Sequence, residues 1–263
     1  MNKKKPLVGL ALGAGGARGL AHLGVIEILE KENIPIDIIT GTSMGSLIGG
    51  IYACGTPVKY IIQLSRELNW DNVTDITFPR KGLIKGDKLL SFLEIITQNK
   101  DFEDLQIPFA AIACDIEKGE HIVLNTGSVA KAIRASTSIP GIYVPFQHQD
   151  RYLVDGGVLD RVPISTLRMM GADIIIAVDI GVKAVNNNVK NLFDILLNTF
   201  DIMQQEFEKI KEHDADIIIK PDLENITKFE LDKADLCVKA GRDVAKQMLD
   251  KIKNTLSRRG LYV

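Results

Sequence analysis

The chain has 263 residues, 46% of them hydrophobic and 25% charged, with a formal net charge of −2. That size suits one large α/β domain, or two small ones, with a real core. The near-neutral charge excludes the global basic field that nucleic acid or anionic lipid would call for.

The lysines Lys3-Lys4-Lys5 read as a solvated N-terminus, and Arg258-Arg259 read the same way near the other end. Residues 7–12 (LVGLAL) form a short apolar run before glycines, the pattern of a buried parallel strand. A helix follows from about residue 18 to 32, with Leu20, Ala21, Gly24, Val25, Ile28 and Leu29 on one face. Residues 37–40 (DIIT) are a second strand, 41–45 a turn, and 46–54 a helix. Residues 57–105 differ. They look helical and amphipathic, with a loop around 70–86, and form a candidate cap.

Alternation then resumes. Strands are expected at 109–114, 122–124, 152–154, 174–180 and 217–219. Helices are expected at 128–135, 164–170, 192–211 and 234–256, with a polar loop at 183–190. Strands alternating with helices predict an α/β fold: a mostly parallel sheet with helices on both faces. No apolar run approaches the ~20 residues of a membrane span. Residues 7–12 are too short for a signal-peptide core. Cys54, Cys114 and Cys237 lie far apart, without a CxxC pair or a Cys/His cluster, so neither zinc nor a disulfide framework is supported. The chain reads as cytoplasmic, soluble or peripherally bound.

In such folds ligands sit beyond the carboxyl ends of the strands. Three motifs fall there. The first is Gly13-Ala14-Gly15-Gly16-Ala17-Arg18-Gly19, between a strand and a helix. Glycines let backbone N–H groups face a ligand, and the helix start adds a positive dipole end. This is an anion site. A dinucleotide fingerprint fails on frame, because Arg18 occupies the third glycine's place and no acidic residue ends the second strand.

The second motif is Gly41-Thr42-Ser43-Met44-Gly45. A serine on a tight strand-to-helix turn projects its hydroxyl into the cleft, and the flanking glycines Gly41 and Gly45 tolerate the crowding. Its bland alternative is a glycine-rich turn with a capping serine. The third is Asp155-Gly156-Gly157 after a short strand. Asp115 and Asp179 also end strands and are rival carboxylates. Among the four histidines, His213 lies before a strand, at the wrong edge. His121 and His148 lie in turns or at strand starts. His22 is one turn past the glycine loop and is the only plausible histidine base. A Ser–Asp pair of Ser43 and Asp155 is the better arrangement.

Four ordered segments, LGAGGARGLAHLGVIEIL, GTSMGSLIGG, KAIRASTSIPGIYVPF and VDGGVLDRVPI, resemble the bacterial patatin-like phospholipases, close to the small members related to the lipase domain of neuropathy target esterase. The resemblance covers residues 7–219. It implies a three-layer α/β/α patatin-like fold over residues 1–263 with a helical cap insertion at about 57–105. It also implies a Ser–Asp dyad, here Ser43 and Asp155, and an oxyanion loop, here Gly15, Gly16, Ala17 and Arg18. Ala14 stands where the family places the first of three glycines, so Gly15 and Gly16 are the safer donors. Arg134, Ser136 and Ser138 line the cleft or pack beside it. No metal or other cofactor is implied. The expected partner is a lipid or acyl-ester substrate, with peripheral membrane contact and no nucleic acid. The rivals are acyl transfer from the same acyl-enzyme and a catalytically silent lipid-binding protein.

Overall fold

A computed structural model describes residues 5–78, 81–181, 195, 198–199, 201–204 and 214–261. Five strands run parallel: β1 (Val8–Leu12), β2 (Ile38–Thr42), β3 (Phe109–Asp115), β7 (Ile174–Val178) and β8 (Ile217–Ile219). Every residue of β1, β2, β3 and β7 is buried, as in strands covered on both faces, and β1 and β7 are unbroken apolar runs. Three antiparallel strands complete one side: β4 (Glu120–Leu124), β5 (Phe146–His148) and β6 (Arg151–Asp155). The order is β5-β6-β3-β2-β1-β7-β8, with β4 also on β3.

Period-two alternation splits the sheet's side chains between two cores. Leu10, Leu12, Ile174, Ile176 and Val178 join the larger one. Ala11, Ile175 and Ala177 join a smaller one with Ile164 and Leu167 of helix α7 (Ile164–Met169). The larger side carries α1 (Ala21–Lys31), α2 (Met44–Ala53) and α8 (Ala234–Arg258). Between α2 and β3 come α3 (Val58–Glu67), α4 (Trp70–Val73) and α5 (Asp87–Ile96), and α6 (Val129–Ser136) follows β4.

The sequence expectation of a mostly parallel α/β sheet holds, and the strands expected at 122–124 and 152–154 are the ones that run antiparallel to β3. The strand expected at 152–154 is β6, and it opposes β3 instead of joining the parallel set. The register shows what this accomplishes. Thr42 of β2 pairs with Ile112 of β3, and Asp155 of β6 pairs with the next residue, Ala113. β4 pairs with Ala111 through Asp115, so it occupies the other edge of β3. β2 and β6 therefore share one edge of β3 and meet end to end, carboxyl end against carboxyl end. Smaller differences follow from short elements. The segment 16–20 is a 3-10 turn, and α1 starts at Ala21, not at Arg18. The strand expected at 122–124 begins at Glu120, the one expected at 174–180 ends at Val178, and β5 was not anticipated. The polar loop at 183–190, most of the helix expected at 192–211 and His213 lie outside the described residues; 201–204 are helical.

Candidate active site

β2 delivers the chain into Ser43 at its carboxyl end, and α2 begins at the next residue. Ser43 has φ 56° and ψ −122°, a conformation an L-residue adopts at a cost of ~1–3 kcal/mol. Neighbouring groups hold it there. Its N–H donates to Ser136 Oγ at 3.0 Å, and its carbonyl accepts from Ser46 Oγ at 2.7 Å. Gly45 has a steric reason: a Cβ there would overlap the Leu12 carbonyl, so only glycine lets α2 turn back this tightly over β1. A Cβ on Gly41 would stand 2.5 Å from the Gly45 carbonyl group.

The end-to-end meeting of β2 and β6 places Asp155 beside Ser43. Asp155 is 3% exposed. Its N–H donates to the Ser138 carbonyl at 2.9 Å, and its Oδ1 accepts the Gly157 N–H at 2.8 Å. Burial pushes its carboxyl up to about 6, against the Ser43 hydroxyl, the Gly157 amide and the Lys228 charge, which favour ionisation. Gly156 and Gly157 follow as a 3-10 turn, and a Cβ on Gly156 would press into the Ile112 backbone. Gln204 Nε2 closes this turn by donating to the Gly157 carbonyl at 2.6 Å.

The glycine loop runs from β1 over the same end of the sheet. Three of its amides are already committed, the Gly13 N–H to the Val178 carbonyl at 3.0 Å among them. Ala14 N–H donates to the Arg161 carbonyl and Ala17 N–H to the Lys228 carbonyl, each at 2.9 Å. The Ala17 amide, expected above among the oxyanion donors, is thus engaged within the chain. Among the described residues, the Gly15 and Gly16 amides have no protein acceptor, and Gly16 sits at φ 57°. Arg18 is 7% exposed and lines the cleft, with its Nη2 donating to the Gly181 carbonyl.

Two clefts meet at Gly16, Ser43 and Ile139. One is lined by the polar side chains of Arg18, Asp155, Asp201, Gln204 and Lys228 together with Ile142 and Phe229. Lys228 pairs with Asp201 at 2.6 Å. The other, of about 560 Å³, is apolar, with Met44, Leu47, Val73, Leu89, Phe92 and Tyr143 among its walls. Val73, Leu89 and Phe92 come from the segment expected to be a cap.

A family model described as patatin-like phospholipase matches residues 10–168, which include all three motifs. The chain belongs to the patatin-like phospholipase family. Among curated relatives, an uncharacterized NTE family protein of Mycobacterium tuberculosis is 36% identical over 178 residues, 66% of this chain and 49% of that protein. Lysophospholipase NTE1 of Pyricularia oryzae is 36% identical over 180 residues, covering 66% of this chain and 12% of that much longer protein. The chain thus spans half or less of the length of these relatives. The solved structure of VipD from Legionella pneumophila superposes with a TM-score of 0.69 at 14% identity, over 94% of this chain and 67% of that one. It shares the fold.

Within this patatin-like frame the rival residues have other work. Fully buried His22 has Nε2 2.8 Å from the Gly13 carbonyl, to which it donates, so it ties α1 to the glycine loop. Burial pushes its imidazole down to about 4, so it is neutral near pH 7. His121 lies 3.3 Å from Asp160, and His148 ends β5. Asp115 pairs with Arg151 at 2.9 Å and accepts the Glu117 amide. Arg134, Ser136 and Ser138 position rather than line. Ser136 holds the Ser43 amide, and Arg134 donates to Ser138 Oγ at 2.6 Å and to the Gly86 carbonyl at 2.9 Å.

The sequence reading missed Arg161. It is buried and brackets Ala14, with its carbonyl on the Ala14 amide and its Nη1 3.2 Å from the Ala14 carbonyl. Its Nη2 pairs with Asp179, whose Oδ1 also accepts the Gly181 amide at 2.8 Å. Asp179 is therefore part of the loop's support, and the Arg161 guanidinium helps hold its carboxyl below the ordinary range against the opposing effect of burial. Only the position of Asp179 at a strand end hinted at this.

Proposed function

We propose that the chain is a serine acyl-ester hydrolase acting on single-chain lipids such as lysophospholipids, with Ser43 as nucleophile and Asp155 as its base. The reading rests on one observation above others: a strained, buried serine beside a buried aspartate whose ionised form its hydroxyl favours, next to two amides that have no protein acceptor among the described residues. A carboxylate with its affinity for protons raised toward 6 is a better base than an ordinary aspartate. Asp155 takes the Ser43 proton as Oγ forms a bond to the ester carbonyl carbon. The Gly15 and Gly16 N–H groups bind the resulting oxyanion, and one such donor is typically worth ~3 kcal/mol. Asp155 then gives the proton to the leaving alcohol as the C–O bond breaks. Water, deprotonated by the same carboxylate, cleaves the acyl-enzyme and restores Ser43.

The two clefts assign the halves of the substrate. The apolar cleft takes the acyl chain, since its walls are almost wholly apolar. The polar cleft takes the alcohol, with Arg18 and Lys228 favouring an anionic headgroup. In this reading residues 57–105 are a cap on one domain, and the role of Arg18 is to brace the loop and add positive field. The relative named a lysophospholipase supports the substrate class. The test is fatty-acid release from lysophosphatidylcholine and from diacyl phosphatidylcholine, with wild type and Ser43→Ala. Wild type should favour the single-chain lipid, and Ser43→Ala should lose at least about a thousandfold. Preference for the diacyl lipid would reject the single-chain assignment. Acyl transfer to an added alcohol, with little free acid, would make the protein a transferase.

A further inference from the structure

Between α4 and α5 the described residues on either side of 79–80 pair as the two arms of a short hairpin. Thr77 N–H donates to the Leu83 carbonyl and Lys85 N–H to the Asp75 carbonyl, each at 2.9 Å, around an Ile76–Ile84 bridge. Its base is firmly fixed. Asp75 accepts the Gly86, Asp87 and Lys88 amides at 2.7–3.3 Å. Arg134 donates to the Lys85 and Gly86 carbonyls at 2.8 and 2.9 Å, and the Leu83 and Ile84 amides both reach the Ile142 carbonyl at 2.8 Å. The outer part is apolar and open: Ile76 is 89% exposed, Phe78 77% and Leu83 42%. Chain on either side of it walls the apolar cleft, through Val73 before it and Leu89 after it. So does Tyr143, which bridges to Ile84.

Charge distinguishes this tip from a fragment of misplaced core. Lys81, Lys85 and Lys88 are exposed around it; Lys85 pairs with Asp87, the one exposed carboxylate among the described residues of the hairpin, Lys81 lies 4.2 Å from the centre of the Tyr152 ring, and Asp75 is turned inward onto backbone amides. Lys81 and Lys88 leave a local positive excess on a chain whose net charge is −2. Large apolar side chains ringed by lysines fit a bilayer surface bearing anionic lipid, with the apolar groups below the headgroups and the ammonium groups among the phosphates. They do not fit a second copy of this chain, because a two-fold contact would set the same lysines against each other.

We propose that this hairpin docks the protein on anionic phospholipid bilayers, with Ile76 and Phe78 inserting and Lys81, Lys85 and Lys88 meeting the headgroups. Docking there sets the mouth of the apolar cleft against the membrane. This goes beyond the assignment of the reaction, on which it depends only for its purpose.

The experiment is co-sedimentation of the full chain with vesicles of phosphatidylcholine containing a minority of phosphatidylglycerol. It is run beside hydrolysis of a short-chain soluble ester and gel filtration. Wild type should sediment, less so in high salt or without phosphatidylglycerol. Ile76→Ser/Phe78→Ser should bind vesicles about tenfold more weakly or worse, and Lys81→Glu/Lys88→Glu should lose the dependence on phosphatidylglycerol. Both variants should hydrolyse the soluble ester as wild type does, which also shows that they fold. Wild type that never sediments, or a double-serine variant that sediments equally, overturns the proposal. A change in oligomeric state with vesicle binding intact does the same, in favour of self-association. Absent ester hydrolysis in wild type would defeat the enzymatic reading while leaving sedimentation to decide the docking.

Discussion

Replacing Asp155 with asparagine should make the protein more stable and inactive, and only above a definite pH. Asp155 is 3% exposed, and burial carries its carboxyl from an ordinary 3.8 to about 6. Below about pH 4 the group is protonated in native and unfolded chains alike, and it costs nothing. As pH rises from about 4 through 6 the unfolded chain ionises freely while the native site resists, so the folded state loses stability. At ~1.4 kcal/mol per pH unit the loss levels off near about 3 kcal/mol above pH 6. Asparagine imitates the protonated form: its Oδ1 can still accept the Gly157 amide, and its amide can donate to Ser43 Oγ. Asp155→Asn should therefore gain up to about 3 kcal/mol at pH 7.5, several degrees in Tm for a chain of this length, and nothing at pH 4. Denaturant unfolding of both proteins across pH 4–8 measures this. Wild-type kcat/KM for a soluble ester should rise through pH 6 in the same window, since the base must be ionised. A variant destabilised equally at both ends of the range, or an activity limb near pH 4 where His22 titrates, would refute the reasoning.

Three further outcomes follow from the same geometry. Arg161→Met removes the clamp on Ala14, so kcat should fall about a hundredfold with KM little changed, as expected when donors are misplaced by an ångström. Stability should fall by ~3 kcal/mol, because Asp179 is left buried without its guanidinium, and steady-state kinetics with chemical denaturation reads both. Val73→Phe fills part of the apolar cleft, so turnover of decanoate esters should drop about tenfold while acetate esters are unaffected. Gly45→Ala forces a methyl group into the Leu12 carbonyl, and loss of both activity and thermal stability should show in ester turnover and melting curves.

The parts of this site legible in sequence are those in which residue type is dictated locally. Gly41 and Gly45 around Ser43, and Gly16 in the loop, stand where a Cβ would meet backbone, so they announce themselves. The direction of β6 was not legible. Three apolar residues at 152–154 specify a strand but not its sense, and the meeting of Ser43 with Asp155 depends on that sense. Which loop amides are spare was equally hidden. Ala14 and Ala17 lose theirs to carbonyls of Arg161 and Lys228, far along the chain. Arg161 itself sits among apolar residues as one more charge, and its partner Asp179 lies in the next βα unit. Among the described residues the nearby histidine, His22, is spent holding Gly13.

The central claim is that Ser43 forms the acyl-enzyme with Asp155 as its base. The most direct measurement is reaction with a fluorophosphonate probe, followed by mass mapping of the adduct in wild type, Ser43→Ala and Asp155→Asn. The account predicts one adduct, on Ser43 of the wild-type protein. It predicts none in Ser43→Ala and labelling slowed by about a thousandfold or more in Asp155→Asn. An adduct on another residue, or undiminished ester turnover by Ser43→Ala, would contradict it.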